Sequence, residues 1–300
     1  MLKIVEYQNG NSTVELFDDG TRIIKFEGDL KLDYPLNLDI RVSTACSLGF
    51  NPKTGKATCG FCHESARTDG VECDYNELKR ILKGLPKGIE LAIGGNKLTP
   101  GLTDFLVWSK KQGYINNLTV NHLHINKNEF LLKLFLMEGI INGLGISYRK
   151  GFPLNFDDFF MNHPNVVLHV IAGIDHVDDV VLLPFEKILI LGYKTFGFGV
   201  EFYNENVKKT IQEWFWYVKK VIDNKKIVSF DNLALEQLNI KRFLPQKMWD
   251  EFNQGEHSFY INAVDQYFSP SSRNPIKVDW GGITVKDYFK QLENEKNILL

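Results

Sequence analysis

The stretch LNLDIRVSTACSLGFNPKTGKATCGFCHES, residues 36–65, decides how this chain is read. Residues 36–43 alternate apolar and polar in the manner of a strand, and the run leads directly to Cys46. Cys59, Cys62 and Cys73 follow, giving Cys-x12-Cys-x2-Cys-x10-Cys, and the remainder of the 300 residues holds no other cysteine. A disulfide-stapled protein of this size spreads its bridges along the chain. Clustering points instead to a metal. Zinc would take all four thiols, although such sites commonly use two close pairs and only Cys59 and Cys62 form one. Iron and sulfide would take three, Cys46, Cys59 and Cys62, and leave one iron open to a small molecule. The third reading is four small buried residues that bind nothing.

Working outward from this stretch, strands and helices alternate. DYNELKRILKGL (74–85) has helical spacing, with Asp74 as N-cap and Glu77 three residues later. GIELAIGG (88–95) reads as a strand ending in a double glycine, and LTDFLVWSKKQG (102–113) as a helix closed by Gly113. Strands are expected at 116–121, 141–149, 165–173 and 185–193, with a helix at 126–139. Six strand-led units fit between Leu36 and Tyr193. This order predicts a parallel sheet with crossover helices, either a partial (β/α)6 barrel or a doubly wound sheet. In both, chemistry gathers at the C-terminal ends of the strands, where the cysteine stretch and Gly94-Gly95 fall.

The flanks differ. VELFDDGTRIIKFEG carries Asp19-Gly20 between two strand-like runs, a hairpin signal, so residues 1–35 read as a β appendage. Residues 36–200 form the core and 201–300 a C-terminal α/β extension. That extension holds a long helix (204–224, with Trp214 and Trp216 as packing residues), strands at 226–232 and 258–264, the loop PSSRNP (270–275) and a final helix.

Composition narrows the function. Apolar residues make up 44%, aromatics 13% and charged residues 24%, enough for a large core. Thirty-five basic against 37 acidic residues give −2, which excludes a globally basic nucleic-acid binder but not a local groove. No apolar run approaches the roughly 18 residues of a transmembrane helix, and the N-terminus lacks the apolar core of a signal peptide. No membrane association and a cytoplasmic address are expected.

Taken together, residues 36–200 resemble the radical S-adenosylmethionine superfamily. The resemblance rests on a strand leading into a three-cysteine loop and on CGFC (59–62), with an aromatic before the last cysteine. IGGN (93–96), similar to the superfamily's GGE-type motif, and the repeated strand–helix units complete it. Two features depart from the pattern. Twelve residues separate Cys46 from Cys59 where three are usual, and Asn96 stands where Glu is common. The longer C-terminal half is similar to radical-type proteins of Firmicutes and their phages.

The resemblance implies that Cys46, Cys59 and Cys62 ligate a [4Fe–4S] cluster whose fourth iron is chelated by S-adenosylmethionine. It places Phe61 near the adenine, and Gly94, Gly95 and Asn96 at the methionine amino group. Ser147 and Arg149 fall at ribose and carboxylate, and Leu191 and Gly192 line the adenine pocket with Tyr193. It also implies a flavodoxin or ferredoxin-type reductant. The substrate, whether small molecule, peptide or nucleic acid, stays open, and no cysteine after Cys73 is available for a further cluster. Cys73 reads as a spare thiol at a helix start and His63 as an exposed loop residue. Alternation places His122 and His124 on one face and Asn121 on the other. Asp231 and Asn232 are candidates for substrate contact or capping. Lys194 is another, and Gly197 and Gly199 are too sparse for a phosphate loop.

Overall fold

The computed structural model describes residues 2–95, 97–155, 157–246, 249 and 257–298. Three antiparallel strands, β1 (Lys3–Asn9), β2 (Ser12–Phe17) and β3 (Arg22–Phe26), form a meander in the order β1-β2-β3. The expected hairpin is its β2–β3 half, turning at Gly20, whose φ of +88° suits glycine. The additional strand β1 pairs on the other side of β2.

The core follows in chain order. Strand β4 (Asn37–Arg41) enters a hairpin of β5 (Ala45–Asn51) and β6 (Lys56–Ala57), and then α1 (Tyr75–Leu82). Next come β7 (Glu90–Gly94), α2 (Pro100–Gln112), β8 (Ile115–Asn121), α3 (Ile125–Met137), β9 (Gly143–Ser147), α4 (Asp158–Asn162), β10 (Val166–Ile171), α5 (Val177–Leu182) and β11 (Lys187–Leu191). Helices α6 (Phe198–Phe202) and α7 (Glu205–Asn224) lead to β12 (Ile227–Phe230) and α8 (Asn232–Gln237). Strands β13 (Ser258–Asn262), β14 (Tyr267–Ser269) and β15 (Val278–Asp279) precede α9 (Val285–Ile298).

Ten of these strands make one sheet in the order β12-β11-β10-β9-β8-β7-β4-β13-β14-β15. From β12 to β13 every pairing is parallel, and β14 and β15 add antiparallel pairs at one end. Strands β4 and β7 to β12 sit side by side in chain order, so over this stretch winding does not reverse as it does in a doubly wound sheet. No ladder joins β12 to β13 among the described residues, and the sheet does not close. It also continues past residue 200, because β12 and β13 hydrogen-bond into the same sheet as β4 and β7–β11.

Strand alternation gives the sheet two unlike faces. Leu38, Ile40, Leu91, Ile93, Leu118, Leu144, Ile146, Leu168, Val170, Ile188 and Ile190 point to the helices and are buried; each contributes roughly 1.5–3 kcal/mol by leaving water. The opposite face carries Asp39, Arg41, Asn117, Thr119, Ser147, His169, Ser229 and Tyr260. Helix ends follow local chemistry. Asp74 caps α1 by accepting from the amides of Asn76 (2.8 Å) and Glu77 (3.4 Å), while Glu77 pairs with Arg80. Thr99 caps α2, and Gly113 ends it at φ +85°. Trp214 is fully buried and donates to the Asp175 carbonyl at 2.6 Å, whereas Trp216 is 62% exposed and does not serve as a packing residue.

The meander sits at the N-terminal ends of the parallel strands. Arg22 pairs with Glu90 of β7, and Asn165 before β10 donates to the Asp18 carbonyl at 3.0 Å. The opposite rim is left to the loops. No helix among the described residues is long and apolar enough to cross a membrane.

Candidate functional site

The cysteine loop is knit by its own backbone. The amides of Thr58 and Cys59 both donate to the Leu48 carbonyl at 3.0 Å, Cys62 donates to the Cys59 carbonyl at 3.1 Å, and Phe50 donates to Ala66 at 2.8 Å. The crossing is tight: a Cβ on Gly49 would lie 2.3 Å from the Ala66 oxygen. The β5–β6 hairpin inside this loop carried no strong sequence signal, since Ala45–Asn51 neither alternates cleanly nor ends in a two-residue turn pair.

The loop brings Cys46, Cys59 and Cys62 half-buried into electrostatic reach of one another. Backbone amides of Leu48 and Gly49 face the Cys46 sulfur, and those of Ala66 and Glu64 face Cys62. Burial pushes all three thiols up, Cys59 to about 11 against the pull of Arg149. Cys73 stands apart. It is buried in the hydrophobic core before α1, its charged neighbours are Glu72 and Asp74, and burial pushes its thiol up to about 12. Among the described residues, no three His, Cys, Asp or Glu side chains converge where a single ion would sit.

Residues expected at the strand ends do meet this loop. Arg149, just after β9, donates to the Thr58 carbonyl at 3.0 Å and lies over Phe61. Phe61, Leu191 and Gly192 line one small pocket of about 40 Å³ together with His63, Ile171, Tyr193 and Lys194. Gly192 fits there because α8 is close: its amide donates to Asp231 Oδ1 at 2.9 Å, and a Cβ would meet Leu233 at 2.5 Å. Asp231 thereby does capping work, accepting also from the Ala234 amide at 2.7 Å.

The double glycine splits into two roles. Gly95 is buried, donates to the Thr119 carbonyl at 2.6 Å and has Leu118 where a Cβ would go. Gly94 is exposed, and a Cβ there would touch nothing within 4 Å. Asn96 lies outside the described residues. Ser147 ends β9, with its carbonyl 3.3 Å from His122 Nδ1; its side chain is not drawn to the cysteine loop by any hydrogen bond among the described residues.

His122 and His124 do not alternate on a strand. The ladder stops at Asn121, whose side chain accepts from the Leu123 amide at 3.0 Å and starts a 3-10 turn. His122 is buried against Tyr148, and His124 Nε2 lies 3.0 Å from Ser47 Oγ, next to Cys46. His63 is only partly exposed rather than a free loop residue: its Nε2 is 3.1 Å from Glu64 and 3.3 Å from Lys194 Nζ.

The sequence reading missed the role of KTFGFG (194–199). Phe198 donates to the Cys62 carbonyl at 3.1 Å, and Gly197, at φ +57°, comes so close that a Cβ would be 2.2 Å from the His63 oxygen. The two glycines were the available signal, and they mark close approach of two backbones rather than phosphate binding. A larger cavity, about 570 Å³, opens at the other end of the strands beneath the meander, lined by Phe17, Asn117, Gly145 and His169 among others. It receives no residue of the cysteine loop. Burial there pushes the His169 imidazole down to about 4, so it is neutral near pH 7.

No protein-family model matches the chain. The search of curated proteins likewise returned no match.

Proposed function

We propose that this protein is a radical S-adenosylmethionine enzyme built on a partial barrel of parallel strands, opened between β12 and β13. The observation that carries the reading is the meeting of Cys46, Cys59 and Cys62 with Phe61, Arg149, Leu191 and Gly192 at one rim of the sheet. The residues present suit the group. Three thiols come from one loop, and two of them, Cys46 and Cys62, face backbone amides, donors of the kind that tune iron–sulfur sites. Gly94, at the end of β7, leaves open space where a Cβ would meet no protein atom within 4 Å.

Cys46, Cys59 and Cys62 would hold a [4Fe–4S] cluster with S-adenosylmethionine on its open iron. When bound, the pair supplies reductive cleavage of the sulfonium and a 5′-deoxyadenosyl radical for hydrogen abstraction. The protein's own residues bind and orient. Arg149 offers a planar fork that matches a carboxylate. Phe61, Leu191 and Gly192 give an apolar face and a close-approach backbone for a flat ring. Gly94 presents main chain to the amino end while Gly95, bonded to Thr119, holds the turn in place, and Ser147 stands at the end of β9 for the ribose. A flavodoxin or ferredoxin-type protein would deliver the electron.

The test is anaerobic reconstitution with iron and sulfide, dithionite reduction, and assay for 5′-deoxyadenosine. Brown protein with about four irons per chain, as a [4Fe–4S] centre requires, and cofactor cleavage support the reading. Cys73→Ser should keep the iron, while Cys46→Ser, Cys59→Ser and Cys62→Ser each lose it. A colourless protein holding one zinc through all four cysteines, with no cleavage, sinks it.

A further inference from the structure

Asp39 stands on the polar face of the sheet, in the middle of β4, with an exposed side chain although protein surrounds it. Among the described residues it makes no side-chain hydrogen bond or ion pair. Its neighbours across the ladder are Tyr260 on β13 and Ala92 on β7, and Arg41 and Gly94 lie one step nearer the cysteine rim. Ala92 is small and a Cβ at Gly94 would meet nothing within 4 Å, so neither neighbour on β7 adds bulk on this face.

The charges around it are committed elsewhere. Arg41 pairs with Glu64 at 2.8 Å. Asp231 is held by the amides of Gly192 and Ala234. Lys194 reaches His63 at 3.3 Å. Three carboxylates, Asp39, Asp231 and Glu64, thus face two cations, Arg41 and Lys194, and the uncompensated negative charge falls on the one carboxyl without a contact partner. Burial pushes that carboxyl up, opposed by Lys194 and reinforced by Asp231 and Glu64. The carboxyl is open on one side, so a cationic ligand can reach it and replace water as its partner.

We propose that Asp39 anchors the substrate of this site by taking a cationic nitrogen, a primary ammonium or a guanidinium, so that the substrate is a small cationic molecule. This names the substrate class for the function proposed above and rests on it. The binding event itself uses only Asp39 and the space beside Ala92 and Gly94. A charge-assisted hydrogen bond is stronger than one between neutral groups.

The test is calorimetric titration of the full chain with agmatine, which carries both cationic groups, and with the uncharged N-butylurea. Agmatine should bind the wild type and N-butylurea should not. Asp39→Asn, which keeps the volume and removes the charge, should weaken agmatine at least tenfold. Ala92→Leu, which fills the space and leaves the carboxyl, should weaken it similarly and covers the case in which Asp39→Asn fails to fold. Equal affinity in the wild type and the folded variants, equal binding of N-butylurea, or no agmatine binding to the wild type overturns the proposal. The titration is run on metal-free and iron-loaded protein. Loss of the cluster reading leaves the metal-free result standing, and loss of the Asp39 result leaves cofactor cleavage untouched.

Discussion

Arg149 lies over the ring of Phe61, its guanidinium carbon 5.1 Å from the centroid, while its Nη2 donates to the carbonyl of Thr58 at 3.0 Å. One strand end thereby clasps the middle of the cysteine loop. Lysine keeps the charge but loses the fork and the flat stacking surface. Arg149→Lys should therefore weaken S-adenosylmethionine about tenfold in an equilibrium titration, while the unfolding free energy changes by about 1 kcal/mol or less, the value of an exposed cation–π contact.

Gly94 and Gly95 should respond in opposite ways to the same methyl group. At Gly95 a Cβ falls 2.7 Å from Leu118 Cδ1, which is fully buried. Gly95→Ala should cost about 1–3 kcal/mol by overpacking, seen as a lower denaturant midpoint. At Gly94 the methyl meets no protein atom within 4 Å. Gly94→Ala should leave the midpoint within about 0.5 kcal/mol and reduce cofactor binding, because only a ligand would feel the methyl.

Asp175 should give the chain a pH-dependent weakness. It is 1% exposed, Oδ2 accepts from the Ile171 amide at 2.8 Å, and Oδ1 has no partner. Burial pushes its carboxyl up to about 7, opposed by Arg149 and Lys150. A raised folded value means that stability from this group is complete below the unfolded value near 4 and is lost as pH rises through 7. Between pH 4 and 8 the loss approaches about 4 kcal/mol. Asp175→Asn should flatten the pH profile of unfolding across that window and carry a constant offset for its unpaired amide. An unchanged slope would show that the carboxyl titrates normally.

Gly197→Ala should reach the thiols without touching them. Its φ of +57° disfavours other residues, and a Cβ would lie 2.2 Å from the His63 carbonyl oxygen. The expected outcome is displacement of the Cys62–His63 segment and iron retention below half that of the wild type after anaerobic gel filtration. Thr195→Ala, on an exposed neighbour in the same loop, should retain iron fully.

Much of the core was legible because its signals are local. Apolar alternation located β4, β7, β8, β9, β10 and β11 to within a few residues, and Asp74 and Gly113 mark helix ends through short-range hydrogen bonds or backbone geometry. The β5–β6 hairpin escaped because its pairing depends on contacts with Ala66 and Arg67 rather than on its own pattern. His122 and His124 were misplaced because the Asn121 side chain ends the strand, a capping choice that hydrophobic alternation does not encode. At the site, Phe61, Leu191 and Gly192 did come together. Asp39 and the Gly197 approach did not stand out, since each is defined by groups far along the chain.

The sequence by itself determined the alternation of parallel strands and helices, the clustering of the cysteines after the first strand, and the rim at which they fall. These follow from periodicity and from where a strand ends, properties a few consecutive residues settle. Only the tertiary structure decided that Cys73 belongs to the core, that β12 and β13 extend one sheet with no ladder between them among the described residues, and that Asp39 is exposed with no hydrogen-bond or ion-pair partner among those residues. Each depends on which distant groups fill the surrounding volume, and volume is shared among residues that the linear order keeps apart.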